Sequence, residues 1–263
     1  MEEPKVRKSR ASSSDQARQY RQQGYDDALE FALSIGLKED YKNNPQAKKD
    51  VIDPSGDAHS VKGGVIKWQV FLYRASRFRS DDAFVVMNGI GKLLSECIGS
   101  FPNNFDEYQK DKIQFKEQLR VPMVELANKL KERSRLRAFL SKALFNGGEV
   151  DYLTVKQQDK FHVFLNSDVT QTLADNLEVC NSSARRSGEM PEQKVLLRYK
   201  GVNLGEIEMR NDSPTHYREV RFNMIKAKVM NLLLDKIPIS SEYNKKVLVH
   251  GKASRVFGRW IKD

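Results

Sequence analysis

The chain has 263 residues, of which 39% are hydrophobic and 30% charged, and its 45 Lys and Arg outnumber 35 Asp and Glu to give a net charge of +10. These values describe a polar globular protein that buries a sizeable core, as one large domain or two small ones. A basic excess of this size favours a polyanionic partner, most often nucleic acid. No apolar run approaches about 18 residues and no secretory leader pattern is present, which predicts neither a membrane span nor a signal peptide.

The two cysteines, Cys97 and Cys180, are far apart and lack the spacing of metal ligands. They are typical of reduced, buried thiols in a cytoplasmic protein and argue against a structural zinc site. The chain also lacks a P-loop, a dinucleotide fingerprint and the nucleophile elbow of serine hydrolases. We therefore expect no small-molecule cofactor.

The chain is predicted to be a basic arm followed by a single domain. Residues 1–16 contain a Lys/Arg cluster and a serine run, which predicts an arm that is disordered when free and contacts phosphate when DNA is bound. Residues 17–263 are expected to form a single domain. The patterns predict helices at Ala17–Leu37, Ala83–Ile98, Glu107–Asn146 (interrupted near Pro122) and Ser167–Cys180, and strands at Val65–Tyr73, Tyr152–Val155, Phe161–Leu165 and Lys246–His250.

Polar residues lie in the glycine-containing loop that precedes the strand at Val65–Tyr73. Asp57, His59 and Lys62 fall within six positions of one another. The simpler interpretation is that they solvate the loop. The alternative is the rim of an active site, with Asp57 binding a metal and Lys62 stabilising phosphate charge or deprotonating water.

The most informative stretch is Val195–Leu234. Val195–Tyr199 and Leu204–Arg210 have strand patterns and are joined by a short Gly/Asn turn, which predicts a hairpin. A helix is expected to follow from Ser213, with Phe222, Ile225 and Val229 on its apolar face. The predicted fold is α/β or α+β, with a mixed central sheet that contains this hairpin and is flanked by helices.

Two carboxylates of the hairpin occupy one face of its second strand. Glu206 and Glu208 are two residues apart, so their positions are roughly 7 Å apart along the strand. Mg²⁺ prefers oxygen ligands and takes one or two carboxylates, and it activates both phosphodiesters and water. On spacing alone, the simpler alternative is that the pair lines the solvated face of an edge hairpin.

The order of acidic residues resembles the core of the PD-(D/E)XK nucleases, particularly type II restriction endonucleases. The resemblance rests on Pro191-Glu192, then Glu206-Ile207-Glu208 in the second strand, and on the run GEIEMRNDSPTHYREVRF. The chain differs from the family pattern because Glu192 replaces the usual Asp and Glu208 replaces the Lys. A second segment, Asp57 to Lys62 followed by KWQVFLY, also resembles an endonuclease active-site strand, and both segments are hypothesised to meet in one site.

The resemblance implies a Mg²⁺-dependent, sequence-specific endonuclease that cuts double-stranded DNA as a homodimer in a prokaryotic or viral cytoplasm. Glu206 and either Glu192 or Asp57 would bind the metal, and Glu208 or Lys62 would orient or deprotonate the attacking water. The expected DNA contacts are Arg74, Arg77, Arg185, Arg186, Arg210, Asn211, His216 and Arg218. The alternatives are a nucleic-acid-binding protein without catalysis and a less specific repair or recombination nuclease.

Overall fold

The protein is described here by a computed structural model that covers residues 14–38, 51–64, 66–184 and 190–261. Its helices are α1 Ser14–Ser34, α2 Ala75–Ser80, α3 Asp82–Val85, α4 Ile90–Gly99, α5 Phe105–Lys110, α6 Lys112–Leu130, α7 Arg133–Phe145, α8 Asn166–Asn176 and α9 Lys226–Lys236. Its strands are β1 Val51–Ile52, β2 Ala58–Lys62, β3 Lys67–Tyr73, β4 Tyr152–Gln157, β5 Lys160–Leu165, β6 Glu178–Asn181, β7 Lys194–Tyr199, β8 Val202–Arg210, β9 Glu219–Ile225, β10 Ile239–Asn244 and β11 Val247–His250. The expected basic arm lies outside the described residues, apart from residues 14–16, which begin α1.

The strands form two sheets, which corrects the single central sheet expected from the sequence. A mixed sheet has the order β1-β2-β4-β5-β11-β10, with β2 parallel to β4 and β5 parallel to β11. An antiparallel sheet has the order β3-β9-β8-β7-β6. Each segment that was predicted to be a strand does form a strand. These strands divide between two sheets, in a mixed α/β architecture with flanking helices. No helix of the described chain is long and apolar enough to cross a bilayer.

The two sheets differ in how their faces are covered. One face of the mixed sheet packs on α1 through Tyr152, Phe161 and Val163, and residues from its other face belong to the main core. The antiparallel sheet contributes alternate residues such as Val195, Ile207 and Phe222 to that core. Its other face carries charged residues, as expected for an antiparallel sheet with one solvated side.

The helix predicted from Ser213 is wrong in its first half, because residues Glu219–Ile225 form β9. Val220, Phe222 and Met224 alternate into the core, while β9 pairs with β3 on one side and β8 on the other. Tertiary pairing therefore overrides the helical spacing of the apolar residues. Only α9, from Lys226, matches the expected helix.

Three further boundaries differ from the sequence predictions. Pro122 lies inside α6, and the helix expected over Glu107–Asn146 instead breaks at Asp111, between α5 and α6, and again between α6 and α7. The helix expected over Ser167–Cys180 ends at Asn176 and is followed by β6. The helix expected over Ala83–Ile98 divides into α3 and α4 around Gly89, whose φ of 83° lies in the left-handed region.

A buried histidine pair in the mixed sheet makes stability sensitive to acid. His162 Nδ1 lies 3.0 Å from His250 Nε2, and His250 Nδ1 lies 3.1 Å from the carbonyl oxygen of Ile237. The carbonyl only accepts, so His250 donates from Nδ1 and accepts from His162. Burial, then the neighbouring His250, lowers the pKa of His162 from 6.5 to about 4.

We expect the free energy of unfolding to fall as pH drops from about 6.5 to about 4. In this window the unfolded chain protonates His162 while the folded protein does not, which costs about 3 kcal/mol. His162→Asn keeps a donor for His250 but does not titrate. Urea unfolding at about pH 7 and about pH 4 would show a smaller loss in this variant, and an equal loss in both proteins would contradict the prediction.

Candidate active site

The solvated face of the antiparallel sheet brings Glu206 and Glu208 beside cations from three other strands. In the strand register, Glu208 lies opposite Lys194 on β7 and Arg221 on β9. Glu206 lies one row further along, where Lys67 of β3 also reaches it. The intervening Ile207 is fully buried in the core, so the two-residue period of β8 places both carboxylates on the polar face.

Each of the four carboxylate oxygens of this pair contacts a cation. Glu206 Oε1 lies 3.0 Å from Lys67 Nζ, and Glu206 Oε2 lies 3.3 Å from Lys194 Nζ. Glu208 Oε1 accepts from Arg221 Nε at 2.9 Å, and Glu208 Oε2 forms an ion pair with Lys194. Lys194 therefore bridges both carboxylates and occupies the position of a cation shared between them.

The ion pairs keep this cluster charged despite its burial. Burial acts to raise the pKa of Glu206, but Lys194 and Lys67 outweigh it, so this pKa lies below the ordinary value. Burial acts to lower the pKa of Lys194, but Glu208 and Glu206 raise it above the ordinary value. Carboxylate and ammonium are thus both ionised near neutral pH.

The cluster lines a cavity of about 560 Å³ between the polar sheet face and α6. Its charged lining residues are Lys116, Lys194, Arg198, Glu206 and Glu208, and Asn181, Asn203 and Asn211 contribute carboxamides. The cavity therefore combines hard oxygen ligands with several hydrogen-bond donors, which suits an anionic substrate with or without a bound cation.

The composite site that joined Asp57 and Lys62 to the hairpin does not form as expected. Asp57 lies in the turn before β2 of the mixed sheet, where its Oδ2 accepts from Tyr152 at 3.1 Å. Burial raises the pKa of Asp57, with smaller contributions from nearby groups. Lys62 ends the same strand, while Glu206 belongs to the antiparallel sheet.

His59 is an interior residue of the mixed sheet. It is fully buried, with Nδ1 2.9 Å from Thr154 Oγ1 and Nε2 3.3 Å from Asp53 Oδ2. Burial lowers its pKa. These contacts make His59 a packing residue with satisfied polar atoms.

Glu192 is also separate from the carboxylate pair, because its carboxylate is held by Arg120 of α6. Arg120 donates to Glu192 Oε2 from Nε at 3.0 Å and from Nη2 at 2.9 Å. Across the described ranges, no three carboxylate, histidine or cysteine side chains lie close enough to hold one ion. The expected metal ligands Glu206, Glu192 and Asp57 are therefore not brought together.

Most of the expected DNA-binding residues surround the end of the sheet near Arg210 and are already partnered. Arg74 and His216 contact Glu219 at 3.3 Å and 3.1 Å, and Arg210 contacts Asp212 at 2.7 Å. Asn211 lines the cavity itself. Two others, Arg77 and Arg218, pair with Asp81 and Asn103, and Arg185 and Arg186 lie outside the described residues.

Sequence reasoning missed Lys194, Lys67 and Arg221. Lys194 begins the strand VLLRY one position before its predicted start, and the alternation EVRFNMI that places Arg221 on the polar face was interpreted as helix. Strand alternation in both segments is the signal that identifies them. The partners of Glu208 follow once β7, β8 and β9 are paired in register.

Comparison with known proteins adds no assignment. No protein-family model matches the chain, and searches of curated proteins and of solved structures found no significant match.

Proposed function

We propose that this protein is a Mg²⁺-dependent endonuclease of the restriction type, acting on double-stranded DNA as a homodimer in a prokaryotic or viral cytoplasm. The observation that carries the proposal is the cavity in which Glu206, Glu208 and Lys194 meet. A carboxylate pair bridged by a cation, inside a protein of net charge +10, suits the hydrolysis of a phosphodiester in a polyanion.

The donor set fits Mg²⁺ because two carboxylates face one cavity and already share a cation. Glu206 and Glu208 would hold the ion, which on binding supplies Lewis-acid activation of phosphate and water. Lys194 would pair with the scissile phosphate and compensate its developing negative charge. Lys67 and Arg221 keep the two carboxylates oriented.

A second candidate is a DNA-binding protein without catalysis. The specific observation in its favour is that every oxygen of Glu206 and Glu208 contacts a lysine or arginine. Such a ladder of alternating charges also stabilises a solvated sheet face through cross-strand pairs. This candidate predicts binding that is indifferent to Mg²⁺.

The test is incubation of the purified protein with plasmid and phage DNA, with Mg²⁺ or with a chelator. Discrete fragments that appear only with Mg²⁺ are expected from a sequence-specific endonuclease. A Mg²⁺-dependent smear would instead indicate a less specific nuclease. Intact DNA that is retarded on a gel equally in both conditions would favour the binding protein.

A further inference from the structure

The cavity extends along β7. Every second residue of this strand faces the cavity and forms a row with the residue opposite it on β8. Lys194, Leu196 and Arg198 occupy alternate positions of β7 and lie opposite Glu208, Glu206 and Asn203 of β8. By strand rise, Lys194 and Arg198 are about 13 Å apart. The carboxylate pair therefore occupies one part of an elongated polar surface.

A second lysine stands at the Lys194 end of the same cavity. Gln193 Nε2 donates at 2.9 Å to the backbone carbonyl of Lys116, which fixes this turn of α6 beside the start of β7. Lys116 also lines the cavity. Lys116 and Arg198 consequently lie toward opposite ends, with Glu206 and Glu208 between them.

These two cations differ from Lys67, Lys194 and Arg221 because they have no salt-bridge partner among the described residues. Lys67, Lys194 and Arg221 pair with Glu206 and Glu208. Neither Lys116 nor Arg198 forms a salt bridge with any described residue, although the exposed Glu178 is the neighbour of Arg198 on β6.

The Arg198 end of the cavity also contains unsatisfied polar atoms. Arg198 Nε is shielded from solvent without an acceptor, and Asn203 Oδ1 is shielded without a donor. A bound anion would supply the acceptor that Arg198 Nε lacks, whereas Asn203 Oδ1 requires a donor and does not bear on an anion. Positive charge without a partner inside a cavity calls for an anion.

We propose that Lys116 and Arg198 bind the backbone phosphates on either side of the phosphate at Glu206 and Glu208, so that one nucleic-acid strand runs along β7. The inference rests on the proposed function for the central phosphate. The guanidinium of Arg198 binds phosphate through paired N–H donors, whereas Lys116 contributes a point charge. The spacing of the rows along β7 thus sets the path of the strand.

The experiment measures binding without metal, so that it does not depend on cleavage. A fluorescent duplex of mixed sequence, about two helical turns or roughly 20 base pairs long, is titrated with the full chain at several salt concentrations. Each lost phosphate contact lowers the magnitude of the negative slope of log K against log salt by about 0.9. We expect Lys116→Gln and Arg198→Gln each to lower it by about that amount, and the double variant by about twice as much.

Two controls separate this effect from a general loss of charge or of fold. Arg259→Gln removes an exposed charge near the chain end and should leave the slope unchanged. Arg198→Lys retains the charge and should retain the slope while weakening binding. A slope that is unchanged in Lys116→Gln and Arg198→Gln, or lowered equally by Arg259→Gln, would overturn the proposal.

The two proposals fail in different ways. If the wild-type protein cuts DNA but the variants at Lys116 and Arg198 show its unchanged salt dependence of binding, only the proposed strand path is overturned. A protein whose slope depends on both residues but that never cuts with Mg²⁺ would overturn the nuclease and leave the strand path standing. A wild-type protein that does not bind the duplex would overturn the strand path.

Discussion

Glu206→Gln is expected to reduce Mg²⁺-dependent DNA cleavage about 100-fold or more, the scale of losing one group of a catalytic site. The substitution keeps the side chain's size and leaves an oxygen that accepts a hydrogen bond from Lys67 or Lys194. It removes the negative charge that would bind the cation. Initial rates of plasmid nicking and linearisation, at saturating Mg²⁺, measure the effect.

The matched controls are carboxylates that the structure places outside the cluster. Glu192→Gln breaks a half-exposed pair with Arg120, and Asp57→Asn retains a partner for Tyr152 in the other sheet. Both variants are expected to cut at near wild-type rates. Full activity of Glu206→Gln would identify the carboxylate pair as a structural charge ladder, and a matching loss in Glu192→Gln would move the metal site toward that loop.

Gly63→Ala is expected to destabilise the protein by about 1–3 kcal/mol, because the new Cβ overpacks the side chain of Asp27. A Cβ at this position would lie 2.6 Å from Cγ of Asp27 and overlap its carboxylate. Asp27 is buried and cannot move aside freely, since Lys156 Nζ holds it at 2.9 Å. Thermal unfolding should show a midpoint lower by roughly 2–12 °C.

Two comparisons identify the cause of this loss. Gly24→Ala, in α1 with open space around the new Cβ, should raise the midpoint slightly because alanine favours helix. In an Asp27→Ala background, Gly63→Ala should cost less than about 1 kcal/mol, since the clash is gone. An unchanged cost in that background would place the strain elsewhere around Gly63.

The contacts of Gly63 and Gly64, which lie between β2 and β3, show why the arrangement of the two sheets could not be predicted from the sequence. The sequence predicted a loop over Asp57–Lys62, but residues Ala58–Lys62 form β2 of the mixed sheet. In the fold, Trp68 Nε1 donates to the Gly63 carbonyl at 3.3 Å and Lys226 Nζ donates to the Gly64 carbonyl at 2.8 Å. These partners, one of them more than 160 residues away along the chain, hold the turn that sends β2 into one sheet and β3 into the other.

The sequence by itself determined the hairpin of β7 and β8 and the shared face of Glu206 and Glu208. Both follow from local rules, namely apolar–polar alternation with a period of two and a Gly/Asn turn. It also determined the basic charge that directs attention to a polyanion.

Only the tertiary structure decided which groups surround the carboxylates. Lys67 comes from β3, whose pairing with β9 joins segments far apart in the chain and leaves no local pattern. Lys194 and Arg221 reach Glu208 through the register of β7, β8 and β9, in which β9 had been interpreted as helix. The same pairing made a strand of Glu219–Ile225 and placed Asp57 in the other sheet. Burial of apolar side chains, a property of the whole core, selected this arrangement over helical spacing.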